Sequence, residues 1–168
     1  MRYLFCLLLL NAIGASAQIP RNQSGLFEYS HKVTVDDAAT AKLLELKAAQ
    51  FFNQPFLVHW DSIYRDKSEN SLIIKGRGYV DVRAKLRSVA TSRIIPVSLE
   101  FTLEIDESGY RYTWKNFEVD WAENGMNFEF EKKPESVKQI TYDQVLNRTY
   151  KRISYVTGYL KRFMSGEE

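Results

Sequence analysis

Between Pro96 and Asp106 the chain alternates without a break: Val97, Leu99, Phe101, Leu103 and Ile105 fall on one parity, and Ser98, Glu100, Thr102 and Glu104 on the other. A helix would scatter those five apolar side chains around its circumference, whereas a strand puts them all on one face, because successive side chains point to opposite sides. One face is therefore built for a core and the other for water. Parallel sheets are covered on both faces and read as continuous apolar runs, so this one-sided strand predicts an antiparallel sheet. The rest of the chain has to supply what covers the apolar face.

Two amphipathic segments have the period for that task. Ala38 to Asn53 carries Ala41, Leu44, Ala48 and Phe51 or Phe52 at helical spacing, with Asp36 or Asp37 as N-cap and Pro55 closing it; Lys42, Glu45, Lys47 and Gln50 are left to water. Thr141 to Met164 repeats Leu146, Tyr150, Ile153, Val156, Leu160 and Phe163 at three- and four-residue steps. Further strands surround them. Phe27, Tyr29, His31, Val33 and Val35 alternate with polar residues; Trp60 to Arg65 is short; Leu72 to Val82 sets Ile74, Gly76, Gly78, Val80 and Val82 against Lys75, Arg77, Tyr79 and Asp81. The two glycines on the buried parity remove side chains where a helix comes close and let the strand bend. Arg83 to Arg93 holds four cations and no acid, and reads as a solvated loop or the splayed end of a hairpin.

Glu107-Ser108-Gly109 turns the chain into Tyr110 to Trp121. There Tyr110, Tyr112 and Trp114 hold one parity and Phe117, Val119 and Trp121 the other, so a bulge near Lys115-Asn116 must re-aim the strand. Asn124-Gly125 before Met126, Phe128 and Phe130 has the form of a second hairpin. The predicted fold is α+β, in β-α-β-β-β-β-α order: one curved antiparallel sheet with both helices on one face, burying Leu44, Phe101, Leu103, Ile153 and Leu160 together.

The N-terminus speaks to location. Arg2, the apolar run Tyr3 to Leu10 and the small-residue site Ala15-Ser16-Ala17 have the parts of a Sec signal peptide, placing the product in the periplasm, the envelope or the medium. The run falls short of the ~20 residues of a spanning helix, so no transmembrane segment is expected in the mature chain. Cys6, the single cysteine, sits inside the run and is lost with it, which excludes disulfides, thiolate nucleophiles and cysteine-bound zinc. Residues 1–17 are thus read as leader, 18–24 as a flexible lead-in and 25–168 as one domain. Loss of Arg2 lowers the formal net charge of +2 by one, with both signs interspersed.

Phe27-Glu28-Tyr29-Ser30, the helix around Leu43-Leu44, Ile74-Lys75-Gly76-Arg77-Gly78 and the hairpin from Thr102 to Asp106 into Gly109-Tyr110-Arg111-Tyr112-Thr113 resemble a family of exported bacterial proteins. That family is known as a domain of unknown function, number four-four-six-eight, with a TATA-binding-protein-like (TBP-like) fold. The resemblance runs from about Gly25 to Asp120. It implies the fold and carries no catalytic residues.

The namesake of that fold lays a concave sheet on the DNA minor groove. A nucleic-acid partner is nonetheless not expected here, because the open parity mixes Lys75, Arg77 and Arg111 with Asp81, Glu100 and Glu104, whereas phosphate neutralisation wants a basic surface. Of the two histidines, His31 falls on an apolar parity and reads as a hydrogen-bonded core residue. His59 and Asp61, two apart on a strand, share a side and would serve a small envelope hydrolase with Ser62 as nucleophile. No metal, cofactor or phosphate-loop motif is present in the sequence. The favoured reading is a non-catalytic binding module of the envelope whose open face, through Lys75, Arg77, Tyr79 and Arg111, takes a carboxylate-rich or glycan-like partner, an envelope protein or a glycan. The bland reading of the same residues is a solvated face with cross-strand pairs to Glu100 and Glu104, and a structural part in an envelope assembly is the third. The aromatic density of Tyr110 to Trp121 predicts one parity in the core and the other on the open face or under the second hairpin.

Overall fold

The structure, a computed structural model, describes residues 20–35, 41–85, 92–121 and 126–166. The predicted leader, the N-cap at Asp36 or Asp37 and the Asn124-Gly125 turn lie outside the described residues. Six strands and two helices follow in the order β1 (Tyr29–Thr34), α1 (Ala41–Phe52), β2 (His59–Lys67), β3 (Ser71–Lys85), β4 (Ser92–Asp106), β5 (Gly109–Trp121), β6 (Met126–Glu129) and α2 (Gln139–Ser165). Every strand pairing is antiparallel, in the spatial order β1-β5-β4-β3-β2, with β6 also on β5. The expected curved α+β sheet is present, and the second hairpin adds a sixth strand.

The core is the apolar parity of β4, with its neighbours, under the two helices. Val97, Leu99, Phe101, Leu103 and Ile105 are buried, as are Leu44, Ala48, Phe51 and Phe52 of α1 and Val145, Ile153, Val156 and Leu160 of α2. At its centre Phe101 and Trp114 meet with ring centroids 4.1 Å apart, and Phe52 and Trp60 meet at 4.9 Å. Gly76 makes this possible: a Cβ there would lie 2.5 Å from the Trp60 ring and 3.1 Å from Phe52. At Gly78 it would strike the backbone carbonyl of His59. The glycines therefore accommodate the Trp60 ring and the backbone of β2 as well as the helix.

The parity switch in β5 resolves as a bulge. Ser98 pairs with Glu118 and Glu100 with Lys115, so β5 spends one residue more than β4. Asn116 takes φ 55°, a left-handed conformation that asparagine tolerates better than most residues. Beyond the bulge Phe117 and Val119 return to the face that holds Tyr110, Tyr112 and Trp114, and all five are buried. Of the two places expected for the second parity, the open face or the underside of the second hairpin, the open face is thus corrected for Phe117 and Val119, because one extra residue flips the parity. Phe117 stacks on Phe130 at the end of that hairpin with centroids 5.4 Å apart; the side chain of Trp121 lies outside the described residues. β1 and β6 meet the same edge of β5, β1 before the bulge and β6 after it.

Three further readings change. The apolar stripe of α2 is rotated from the predicted one: Val145, Thr149, Thr157 and Met164 are buried, while Leu146, Tyr150 and Phe163 are only partly so. Pattern matching on apolar residues passes over threonine, which presents a methyl group to a core. His31 is exposed, since β1 lies at the edge of the sheet, and its ring leans on Tyr112 at 6.1 Å. Pro20 to Ser24 is not loose: Arg21 bridges to Phe27, and Asn22 Oδ1 accepts from the backbone of Ser24 and Leu26, each at 3.0 Å.

Candidate functional site

Because Ile74, Gly76, Gly78 and Val80 must face the core, Lys75, Arg77 and Tyr79 project in sequence from the opposite face of β3. Among the described residues no helix covers that face. Lys75 and Arg77 are exposed and Tyr79 is half-buried. Lys75 sits opposite Tyr64 of β2 and Thr102 of β4; Arg77 sits opposite Ser62 and Glu100; Tyr79 sits opposite His59 and Ser98. Arg111 belongs to β5, two strands or about 10 Å away. There its guanidinium Nε lies 3.9 Å from Glu104, its register partner. The structure therefore groups Lys75, Arg77 and Tyr79 and gives Arg111 to an acid of its own.

The acids beside the two β3 cations are differently engaged. Glu100 faces Arg77 in register, yet its Oε2 accepts the Asn116 side-chain amide at 2.7 Å. Among the described residues neither Lys75 nor Arg77 has an ion-pair partner. Rings flank them on both sides. His59 stacks on Tyr79 with centroids 4.7 Å apart and planes at 18°, and Tyr64, 60% exposed, stands beside Lys75. The carboxylate that His59 meets is Asp81 on the neighbouring strand, at 3.7 Å from Nε2, rather than Asp61. A register shift between Trp60 and Ser62 breaks the alternation that would have set His59 and Asp61 side by side.

Two concavities mark the surface of the described residues, and only the smaller of them reaches the candidate site. A cleft of about 780 Å³ opens between α1 and the β2–β3 turn, floored by Leu43, Leu46, Ala49, Leu72 and Ile105. The Lys67–Glu45 pair, at 2.7 Å, spans from the hairpin to the helix. A smaller hollow of about 300 Å³ sits over the β5 bulge and takes in Arg77, Asn116, Glu118 and Glu129. Neither is lined by His59, Asp61 or Ser62. The sequence reading passed over Tyr64 and the leucines at 43 and 46. The three-residue step Leu43, Leu46, Ala49 was the available signal, a second apolar stripe beside the core-facing one. At the β4–β5 turn, the Ser108 hydroxyl and backbone N–H, helped by Lys32 3.8 Å away, hold the Asp106 carboxyl below its usual range.

No family profile and no curated protein matches the sequence. Solved structures match its fold. A TBP-like protein from Parabacteroides distasonis superposes with a TM-score of 0.64 at 10% identity, covering 89% of this chain and 99% of that one. The fold is TBP-like. A DUF4468 family protein from Bacteroides ovatus superposes with a TM-score of 0.52, also at 10% identity, over 90% of this chain and 89% of that one. The resemblance read from Phe27 to Ser30, Ile74 to Gly78 and Thr102 to Thr113 thus holds for this TBP-like module at the level of the fold.

Proposed function

We propose that this TBP-like module is an exported, non-catalytic binding protein of the cell envelope that takes an acidic, glycan-like partner on its open sheet face. The observation carrying this reading is the pair Lys75 and Arg77, exposed and without an ion-pair partner among the described residues, between the ring of Tyr64 and the stacked His59–Tyr79 pair. Charge-assisted donors beside flat rings suit a carboxylate on a sugar ring, the guanidinium holding the acid and the aromatic face meeting the C–H groups of the ring. The Arg111–Glu104 pair favours the bland reading for that part of the face, so Arg111 is left out of the site.

The test compares binding of a uronic-acid polysaccharide with that of a neutral polysaccharide of similar size. Binding of the acidic polymer alone, abolished by Lys75→Glu with Arg77→Glu at an unchanged melting temperature, is the expected result; exposed charges contribute little to stability. Equal binding of both polymers, or full binding by the double variant, overturns the reading. Recovery of processed protein beginning at Gln18 from the host envelope tests the export part separately.

A further inference from the structure

On the helix side of the molecule, α2 presents a face that neither the core nor the proposed glycan site uses. From Gln144 to Ser165 the helix carries Arg148, Lys151, Arg152, Lys161 and Arg162 and no acid. Its one acidic residue, Asp143, comes before this stretch and accepts the Gln139 side-chain amide at 2.8 Å. Helical spacing sorts the cations: Arg148, Arg152, Tyr155, Tyr159 and Arg162 follow one another at steps of three or four, and Lys151, three beyond Arg148, shares their side. Lys161 points elsewhere, its ammonium 5.7 Å from the Tyr112 ring. Arg148, Lys151 and Arg162 are exposed, spread over about 20 Å of helix.

Large rings stand among these charges. Tyr155 is 53% exposed, and so, at 54%, is Phe56 from the turn after α1. Phe56 is held in place. Arg152 Nη2 donates to the backbone carbonyls of Phe56 and Leu57 at 2.7 and 3.2 Å, and the Phe56 ring meets Tyr159 edge-on at 6.0 Å. An exposed phenylalanine whose backbone is held by an arginine and whose ring meets Tyr159 has part of its ordering entropy already spent, which is what a contact surface needs. The apolar stripe of α2 is buried in the core and unavailable for insertion, and among the described residues no helix is long and apolar enough to cross a membrane.

We propose that this face docks peripherally on an anionic lipid surface, with Arg148, Lys151 and Arg162 over phosphate headgroups and the rings of Phe56 and Tyr155 at the headgroup–acyl boundary. The rings select lipid over a soluble acidic polymer. Cations alone would serve either, but exposed apolar and amphipathic rings beside them gain only where an interface between water and hydrocarbon receives them. The docking face and the open sheet face lie on opposite sides of the sheet, so one module could hold a membrane and a glycan at once.

Flotation with vesicles of phosphatidylcholine, alone or mixed with phosphatidylglycerol, tests this on the full chain. The N-terminal apolar segment is common to all variants, so differences between them report the α2 face. Binding should rise on adding phosphatidylglycerol and fall with salt, and each cation near the surface is expected to contribute about fivefold. Arg148→Gln, Lys151→Gln and Arg162→Gln together should cut the gain by about a hundredfold, and Phe56→Ala with Tyr155→Ala should remove most of it. Lys75→Glu with Arg77→Glu, on the other face, should leave it intact. An undiminished gain in the triple variant overturns the proposal, and an undiminished gain in the aromatic variant overturns its assignment to lipid. A Phe56→Trp chain gives a readout independent of multiple substitution: added emission should shift to the blue on the mixed vesicles, and the absence of a shift is a refutation.

Discussion

Asn116, at φ 55°, donates its side-chain amide to Glu100 at 2.7 Å across the seam between β5 and β4. The contact fixes the bulge that turns Phe117 and Val119 into the core, and it occupies the acid that faces Arg77 in the register. Packing and surface charge are thereby linked through one residue.

Asn116→Gly should retain the bulge with little loss, since glycine adopts left-handed backbone without a Cβ penalty. Asn116→Val should cost about 1–2 kcal/mol in urea unfolding, because a β-branched residue is strained there. Both variants release Glu100 toward Arg77 and should weaken acidic-polymer binding; a valine variant as stable as the parent would show that the bulge does not need its asparagine.

Two glycines should respond in opposite directions to alanine. Gly76→Ala puts a methyl group into the Trp60 ring and is expected to lose about 1–3 kcal/mol. Gly158→Ala, inside α2 with nothing within 4 Å of its added Cβ, should gain about 0.5–1 kcal/mol. Melting temperatures of the two variants, measured side by side, check the pair.

Phe101→Ala and Leu160→Ala each empty a fully enclosed site, one on the sheet and one on α2. Each should cost about 2–5 kcal/mol by denaturant titration. A loss below 1 kcal/mol at both positions would contradict the single core described above.

Alkaline pH should loosen the fold through the buried phenols of β5. Burial pushes the Tyr110 phenol from 10.0 up to about 12, and raises Tyr112 in the same direction. A raised folded-state value means that the neutral form is favoured in the fold: the contribution is complete below pH 10 and is lost as pH climbs from 10 toward 12, where the unfolded chain ionises first. The melting temperature should fall across that window, and less steeply in Tyr110→Phe. Identical slopes would indicate that the phenol reaches water freely.

Most of the fold was legible because its strands are one-sided. Parity alone identified the buried faces of β3 and β4, and the parity break between Trp114 and Phe117 located the bulge to within a residue. Parity could not say that a single inserted residue would bring both halves of β5 to the same face. Nor does a pattern of apolar letters include Thr149 and Thr157, which turn α2 away from the predicted stripe. At the candidate site, Lys75, Arg77 and Tyr79 were readable from β3 alone. Their neighbours across strands depend on register, and register set Tyr64 beside Lys75, Arg111 against Glu104 and Asp81 against His59.

The pairing of β1 with β5 sets a schedule for the chain. Ser30 and Thr113 share a hydrogen bond although 83 positions separate them, whereas β2 through β5 each pair with the strand next to them in sequence. Local hairpins close quickly and long loops late, so the four-strand meander is expected to condense first and the N-terminal strand to arrive last. Until then the edge of β5 stands open for as long as the first strand remains undocked. A strand waiting to be claimed at that edge makes the interval between emergence and completion the moment at which this chain is most exposed to pairing with a stranger.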